Sequence, residues 1–395
     1  MTKQVTLQGN ARSYTLSIQW PDSPVFIYSP QILEVKNSGQ TAGPSQIHIT
    51  IVGSAGSHTE TRTMYNDRVQ FDMRRALQLV TPDVDSIFDR IGQSDMGNSG
   101  NLFDSTTVRM AFTAGDTGER FENIFHFGLT CMHGALDQLE AYGAQEHRRL
   151  WLNFPQTFNI WEDEYGEVHV HLGDTDAYVP LNAGVCAEVD FLLLWAILGE
   201  YGVDASSIVR PGRSVDLGLS LVSRVENGEV TPQDRRVFTL TPDDSKPSDG
   251  VYLRWLDRRG EMGYWLLKRS EVETKTSAGR SFTRYYEGNP AAPVKASFVN
   301  SQKADFREAR TMTLTAPGLS AEEYDYLCGM TQSPVVERLI VPEGAGDYLG
   351  GRMGLQWQRV NIAPGTYARS IRRGTPRLYE LEVAVELPER NTVTL

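Results

Sequence analysis

Apolar and polar residues alternate over many short stretches of the chain, and a period of two is typical of half-buried strands. In residues 45–53, three isoleucines alternate with His48 and Thr50, so the isoleucines share one face. Residues 378–387 repeat the pattern, with an apolar face made of Leu381, Val383, Val385 and Leu387. Further strands are predicted at 24–29, 32–36, 68–73, 107–112, 123–130, 157–161 and 167–172. The last two are predicted to form a hairpin around 162–166.

The most distinct hairpin is predicted at 251–267, where two apolar stretches flank the tetrapeptide Asp-Arg-Arg-Gly. Asp257 in first place and Gly260 in last place suit a type I turn. A hairpin has two faces, and only one can pack on its own domain, so we expect the other to carry aromatic side chains outward. Aromatic residues beside arginine are typical of protein interfaces. The predicted interface residues are Tyr252, Arg254, Trp255, Tyr264 and Trp265.

Two segments favour helices to different degrees. Ser320 followed by Glu323 is a capping box, which predicts a helix that runs to about Cys328 and is closed by Gly329. Residues 186–202 fit either a helix or a buried strand, because periodicity cannot separate the two in a short apolar run. The strand-rich surroundings favour the strand.

The length of 395 residues favours two or three domains. Residues 241–250, which hold two prolines and three aspartates, form the best linker candidate. We therefore predict a mainly β protein with two or more β-sandwich-like domains and a few short helices. The predicted domains are 1–110, with a long polar arm, 111–240, and 251–395, which contains the capped helix.

Composition narrows the possible partners. The net charge of −12 argues against a non-specific nucleic-acid binder and against docking to anionic lipid. Three cysteines without a CxxC motif favour folding in a reducing compartment. The N-terminal residues lack the apolar segment of a secretory signal. The most apolar stretch, Phe191 to Leu198, has eight residues, whereas a membrane span needs about 20, so no membrane insertion is expected.

Candidate metal and catalytic residues all have a simpler interpretation. Cys131 with His133, and His169 with His171, have the spacing of two ligand pairs on strands, but nothing in the sequence makes the pairs neighbours. Ordinary strand residues are the favoured interpretation, and we expect no metal. Three acids at 162–164 lie in a predicted turn, where adjacent side chains point in different directions.

Other signatures of chemistry are absent from the sequence. Asp83, Asp85 and Asp89 lack the spacing of an EF-hand, and the glycines of 348–354 do not follow the phosphate-loop pattern. There is no GxSxG elbow and no GxGxxG motif after a strand. We expect a protein without a cofactor that is not an enzyme.

Several stretches together carry a resemblance to a known class. They are FENIFHFGLTCMHGAL (121–136), RRLWLNFPQTFNIW (148–161), GVYLRWLDRRGEMGYWLLKR (250–269) and LSAEEYDYLCGMTQSPVV (319–336). Residues 120–395 thereby resemble virion structural proteins of tailed phages and prophages from gut bacteria, of the tail-tip or distal-tail type. The resemblance implies a β-sandwich-based protein that forms rings or collars with itself and with other tail proteins.

The expected function is thus that of a structural component of a phage tail, at the distal tail, tail tip or baseplate. Such a protein would fold in the host cytoplasm and reside in the virion, and residues 83–104 are expected to contact another subunit. A glycan-binding or adhesion module is the alternative, because exposed aromatic residues also stack on sugars. A tail-associated hydrolase is a weaker alternative.

Overall fold

The structure is a computed structural model of the chain. It describes residues 1–9, 13–23, 25–39, 44–83, 103–114, 118–133, 145–161, 167–180, 186–224, 230–285, 299–341, 355–365, 370–371 and 378–388. The described residues are mainly β, with several sheets and a few short helices, as the alternating sequence pattern predicts. Contacts divide the chain into two units. The first holds 1–245 with 256–263 and 349–351, and the second holds 246–255, 264–348 and 352–395.

The first unit begins with two sheets whose strands are mainly antiparallel. Their strands are β1 (Thr2–Gln8), β2 (Ser13–Gln19), β3 (Val25–Phe26), β4 (Ile32–Asn37), β5 (Pro44–Gly53), β6 (Gly56–Thr63), β7 (Arg68–Asp72), β8 (Phe103–Ala114) and β9 (Arg120–Met132). One sheet has the order β1-β2-β4-β7 and the other has the order β3-β9-β8-β5-β6. A short helix, α1 (Arg74–Val80), contacts β5 and β6.

Both sheets contribute to one hydrophobic core. The three isoleucines of β5 are buried, whereas His48 and Thr50 are partly exposed, so the predicted alternation is confirmed. Cys131 of β9 also lies in this core. The predicted domain boundary at 110/111 falls inside β8, which pairs with both β5 and β9.

The rest of the first unit is built around a second core. Its elements are β10 (Gln145–Trp151), β11 (Thr157–Trp161), β12 (Glu167–Leu172), β13 (Thr175–Pro180), β14 (Cys186–Asp190), α2 (Phe191–Glu200), α3 (Ala205–Ile208), β15 (Val215–Arg224) and β16 (Val230–Asp243). The main sheet has the order β10-β16-β15-β12-β13. Val170 and Leu172 are buried and the neighbouring histidines are not, as the alternation in 167–172 predicts.

Two predictions for this region need correction. β11 pairs with β14 and β12 pairs with β13 and β15, so the predicted hairpin of 157–172 is wrong. Residues 186–202 form a strand followed by a helix rather than a single element. The change occurs at Asp190, whose carboxylate accepts a hydrogen bond of 2.7 Å from the backbone N–H of Leu192. That bond satisfies one of the free donors at the start of a helix.

The second unit contains one sheet that closes on itself. After the 3-10 turn Pro247–Asp249, its strands are β17 (Val251–Leu256), β18 (Met262–Tyr285), β19 (Val299–Leu319), β20 (Val336–Ile340), β21 (Gln356–Ile362), β22 (Ser370–Ile371) and β23 (Tyr379–Leu387). The order is β19-β18-β17-β20-β21-β23-β22, and β19 also pairs with β23. The terminal strand β23 buries Leu381, Val383 and Val385, so its predicted alternation is confirmed.

Helix α4 (Ala321–Met330) begins where the capping box predicts. The Ser320 hydroxyl accepts a hydrogen bond from the backbone N–H of Glu323, and the Glu323 carboxylate accepts one from the N–H of Ser320. The helix continues through Gly329 to Met330, so its predicted end was two residues early.

The first of several divisions between the units along the chain falls between Ser245 and Lys246, inside the predicted linker 241–250. The predicted domain boundaries as a set stay a prediction. Of the predicted polar arm 83–104, residues 84–102 lie outside the described part of the chain. No helix in the described part is long and apolar enough to cross a membrane.

Candidate functional site

The five predicted interface residues lie on β17 and β18, and the structure buries all of them. Every residue of β17 is buried, including Tyr252, Arg254 and Trp255, and so are Tyr264 and Trp265 at the start of β18. The expectation that this hairpin carries aromatic side chains outward is therefore wrong. The aromatic density marks a core that is covered on both faces.

Helix α4 covers the first face of the hairpin. The ring of Tyr326 lies 5.1 Å from Trp255 and 6.3 Å from Trp265, between ring centroids. The Tyr326 hydroxyl also accepts a hydrogen bond of 2.9 Å from the backbone N–H of Tyr264. Since this hydroxyl is satisfied by the hairpin itself, the helix is fixed on this face by a polar contact as well as by apolar burial.

On the second face, side chains of the hairpin contact those of β20 and β21, which follow β17 in the same sheet. Tyr252 stacks on Tyr264 with ring centroids 6.0 Å apart, and Tyr252 also contacts Trp357 of β21. The guanidinium of Arg254 lies 4.1 Å from the centroid of the Trp357 ring and donates to Glu337 of β20 at 2.7 and 2.8 Å. Both partners of this ion pair are largely buried. The charge of Arg254 is thus neutralised inside the second unit.

The turn of the hairpin, which groups with the first unit, is held by a buried ionic cluster. Arg148 of β10 donates to Glu261 at 2.6 Å and to Glu146 at 3.2 Å, and Arg259 also pairs with Glu146. Asp257 accepts hydrogen bonds from the backbone N–H groups of Arg259 and Glu261. The predicted turn is confirmed, because the N–H of Gly260 bonds to the carbonyl of Asp257.

The pKa of the Asp257 carboxyl is higher than is usual for an aspartate in a turn. Burial raises the pKa of its carboxyl to about 6, and the negative charge of Glu261 adds to the rise. The positive charges of Arg148 and Arg259 oppose this rise only in part. The turn therefore contains one carboxyl group that titrates close to neutral pH, while it is part of a packed structural cluster.

The same two strands extend far beyond the closed sheet. β18 and β19 stay paired from Lys268–Thr315 outward to Tyr285–Val299. β23 pairs with β19 only over Arg310–Leu319. Residues 270–285 and 299–309, here called the ribbon, thus pair only with each other in the described part of the chain. This feature was missed in the sequence, because Ser, Thr and charged residues hide the alternation there.

Burial by the core ends at the base of the ribbon. Met312 is almost fully buried, whereas Val272, its partner on β18, is 42% exposed. The residues around Val272, from Ser270 to Lys275, are exposed as well. The inner half of the hairpin therefore belongs to the core of the second unit, and the ribbon starts where that core stops.

The register places most apolar residues of the outer ribbon, 278–285 and 299–306, on one face, and Tyr285 and Val299 on the other. Ala278 pairs with Phe306, Arg280 with Ala304, and Phe282 with Gln302. Side chains of alternate residues share a face of a strand. The positions of one face, here called the docking face, are Ala278, Arg280, Phe282, Arg284, Asn300, Gln302, Ala304 and Phe306. The opposite face has Ser281, Thr283, Tyr285, Ser301 and Lys303 among its positions.

The candidate metal residues are distributed over different sheets. Cys131 lies next to the end of β9, and its sulfur lies 3.3 Å from the Thr106 hydroxyl. His133 follows in the same region, and burial lowers its pKa to about 4. His169 and His171 lie on β12 in the second sheet system, so the two pairs are not neighbours in the topology. Among the described residues, no group of three or more His, Cys, Asp and Glu side chains is arranged to hold a metal ion.

His169 and His171 instead share one carboxylate oxygen. His169 Nε2 and His171 Nδ1 each lie 2.9 Å from Oδ1 of Asp176 on β13. The hydrogen bond from His171 lowers the pKa of Asp176. Tyr178, which is 47% exposed, stacks on His169 with ring centroids 4.7 Å apart. The outcome is a small polar and aromatic patch at the edge of this sheet.

The remaining sequence candidates cannot be placed. The acids at 162–164 and the glycine-rich segment 348–354 lie outside the described residues, as do Asp85 and Asp89.

Comparisons with known proteins leave the family open. No family model matches the chain, and no curated protein matches it. One solved structure that is similar in part comes from work on host cell surface retention of a 1.5-MDa bacterial ice-binding adhesin. The sequence identity is 10%, the match covers 75% of this chain and 87% of that chain, and the TM-score is 0.17. A score this low carries no argument about fold or function.

Proposed function

We propose that this chain is a structural subunit of a larger protein assembly and that it acts through contacts with other protein chains. The observation that carries the proposal is the ribbon. Its two strands project beyond the closed sheet and pair only with each other in the described part of the chain. A strand pair of this kind has little packing to stabilise it in an isolated protein, but it offers a surface to which a neighbouring chain can bind.

The physical argument rests on the cost of such a ribbon in water. The 16 residues of 270–285 span about 50 Å at roughly 3.3 Å per residue. A two-stranded hairpin without further packing is only marginally stable in water. An additional surface that covers its apolar positions would stabilise it, and another protein chain can supply that surface.

The proposal extends to the setting that the sequence resemblance implies, which is the distal tail, tail tip or baseplate of a tailed phage. A chain that folds alone and then joins neighbours through a projecting ribbon suits such an assembly. In this setting the protein has a structural role in the virion, with itself and other tail proteins as partners.

The test is to shorten the ribbon and follow assembly. Residues 275–309 are replaced by Asn-Gly between Thr274 and Arg310, which face each other in the register, so that a tight turn closes the strands. The intact and shortened chains are each co-expressed with the products of neighbouring genes, and particles are followed by sedimentation and electron microscopy. We expect only the intact chain to enter particles.

Two outcomes would contradict the proposal: equal entry of both chains into particles, or no particles with the intact chain. The circular dichroism and thermal unfolding of the shortened chain show whether the second unit still folds.

A second candidate function is glycan binding, which is favoured by the patch around Tyr178. Exposed aromatic rings stack on sugar faces, and a neighbouring carboxylate and imidazoles supply hydrogen bonds. The test is glycan-array binding of the intact chain and of Tyr178→Ala, with the exposed Tyr201→Ala as the matched control. Binding that is lost only in Tyr178→Ala would favour this function, and the absence of any bound glycan would count against it.

A further inference from the structure

We infer that the docking face of the ribbon binds a second copy of this chain, on the acidic part of that copy outside the ribbon. The inference rests on the proposed function and names the partner of the same surface. It follows from two independent properties of the ribbon, namely the distribution of its apolar residues and the sign of its charge.

The first property is the segregation of apolar residues by register. Phe282 and Phe306 lie on the docking face together with Ala278 and Ala304. In the outer ribbon, the paired positions of the opposite face are Ser281 with Lys303, Thr283 with Ser301, and Tyr285 with Val299 at its end, so this face holds two apolar or aromatic residues against four on the docking face. A ribbon with two solvated faces needs no such segregation, whereas alternation of apolar and polar positions is typical of a sheet with one buried face. The docking face is therefore the one suited to burial.

The second property is charge. The outer ribbon, 278–285 and 299–306, contains three basic residues and one acidic residue, a net charge of +2. The chain as a whole has a net charge of −12, so the remainder has −14. Arg280 and Arg284 both occupy the docking face, and no acidic residue does. A second copy of the chain thus offers the opposite sign of charge, which favours association and fixes its orientation.

The same charges argue against contact between two ribbons. If two docking faces met, Arg280 and Arg284 of one copy would lie close to those of the other, and like charges at an interface oppose association. We therefore expect the ribbon of one copy to lie on the acidic remainder of another.

The test is sedimentation velocity of the full chain over a range of concentrations. On the docking face, Arg280→Glu with Arg284→Glu should raise the dissociation constant of self-association at least about tenfold. The matched control is Lys303→Glu with Arg307→Glu on the opposite face, which has the same charge change and should alter the constant less than about threefold. Tenfold corresponds to about 1.4 kcal/mol, less than many interface hot spots.

The contribution of the apolar residues to self-association is tested with a second matched pair of variants. Phe282→Ser with Phe306→Ser should weaken self-association by a similar factor, whereas Tyr285→Ser on the opposite face should not. A monomeric wild-type chain at high concentration and low salt overturns the inference, as does an equal effect of docking-face and opposite-face variants. The ribbon-shortening experiment decides the proposed function separately, since a partner other than a second copy would still require the ribbon.

Discussion

The inner and outer halves of one hairpin differ in what covers them. Residues 262–269 and 310–319 belong to the closed sheet. The aromatic residues at the start of β18 are buried there, since Trp265 contacts Tyr326 of α4 and Tyr264 stacks on Tyr252. The ribbon continues the same two strands after a shift of register between Arg269 and Glu271, and no further strand joins it in the described part of the chain. The polypeptide thus changes from core to projection at an irregularity in the strand pairing.

This difference shows why a surface that binds a partner is hard to recognise from the sequence. The dense aromatic residues of 251–267 suggest an interface, yet they form the core of the second unit. The sparse pattern in the ribbon, with Phe282 and Phe306 among polar residues, becomes a single face only when the register is known. The number of aromatic residues therefore says less about exposure than their position relative to neighbouring elements.

The largest expected effect comes from removing a core residue of the inner half. Trp255 is fully buried, so Trp255→Ala should lower the free energy of unfolding of the second unit by about 3–5 kcal/mol. Hydrogen exchange of the β17 and β20 amides, followed at increasing denaturant concentration, measures the free energy of unfolding of this unit separately. The contrast is Val272→Ala in the ribbon, which should change it by less than about 0.5 kcal/mol. Similar effects of the two changes would break the distinction between core and ribbon.

The second effect concerns pH and the turn of the hairpin. The pKa of Asp257 is about 6 in the folded chain and near 3.8 in the unfolded one, so the folded state binds the proton more tightly. As pH falls from above 6 to below 4, this group therefore stabilises the fold, by about 3 kcal/mol in total. Asp257→Asn mimics the protonated form and should remove this contribution.

The measurement is the difference in unfolding free energy between the wild type and Asp257→Asn at pH 4, 5, 6 and 7. The variant should be the more stable at pH 7, and the difference should shrink towards pH 4. Asp174→Asn, at an exposed position in the same unit, is the control and should follow the wild type. A constant difference across this range would show that Asp257 is not buried as the structure has it.

The smallest effect tests the helix that covers the inner half. Ser320→Ala removes the capping hydrogen bond to the N–H of Glu323 and should lower the free energy of unfolding of the second unit by about 1 kcal/mol. Ser320→Asp keeps an oxygen acceptor at the cap and should retain most of the stability. If both variants were as stable as the wild type, α4 would contribute less to the coverage of the hairpin than its contacts indicate.

Features that depend on neighbouring residues could be predicted from the sequence. The alternation in β5 and β23, the turn between Asp257 and Gly260, and the capping box of Ser320 are all confirmed. Each of these depends on fewer than about ten consecutive residues, over which local preference and hydrophobic period agree. The mainly β fold follows from the sum of such local signals.

Features that depend on distant pairing could not be predicted. Nothing in residues 157–172 shows that β11 pairs with β14 rather than with β12. The sequence likewise cannot show that Tyr326 and Trp357 contact the aromatic residues of the hairpin, because they follow it by about 60 and 90 residues. Non-local contacts are selected by the packing of the whole unit, and local propensity does not encode them.

Hydrogen exchange at two protein concentrations tests the central claim most directly, namely that the ribbon is a contact surface for a second copy of this chain. The amides of 270–285 and 299–309 are followed by mass spectrometry beside those of 262–269 and 310–319. We predict that the ribbon exchanges fast in dilute protein and slows markedly in concentrated protein, while the inner half stays protected in both. Ribbon exchange that is the same at both concentrations would contradict the account.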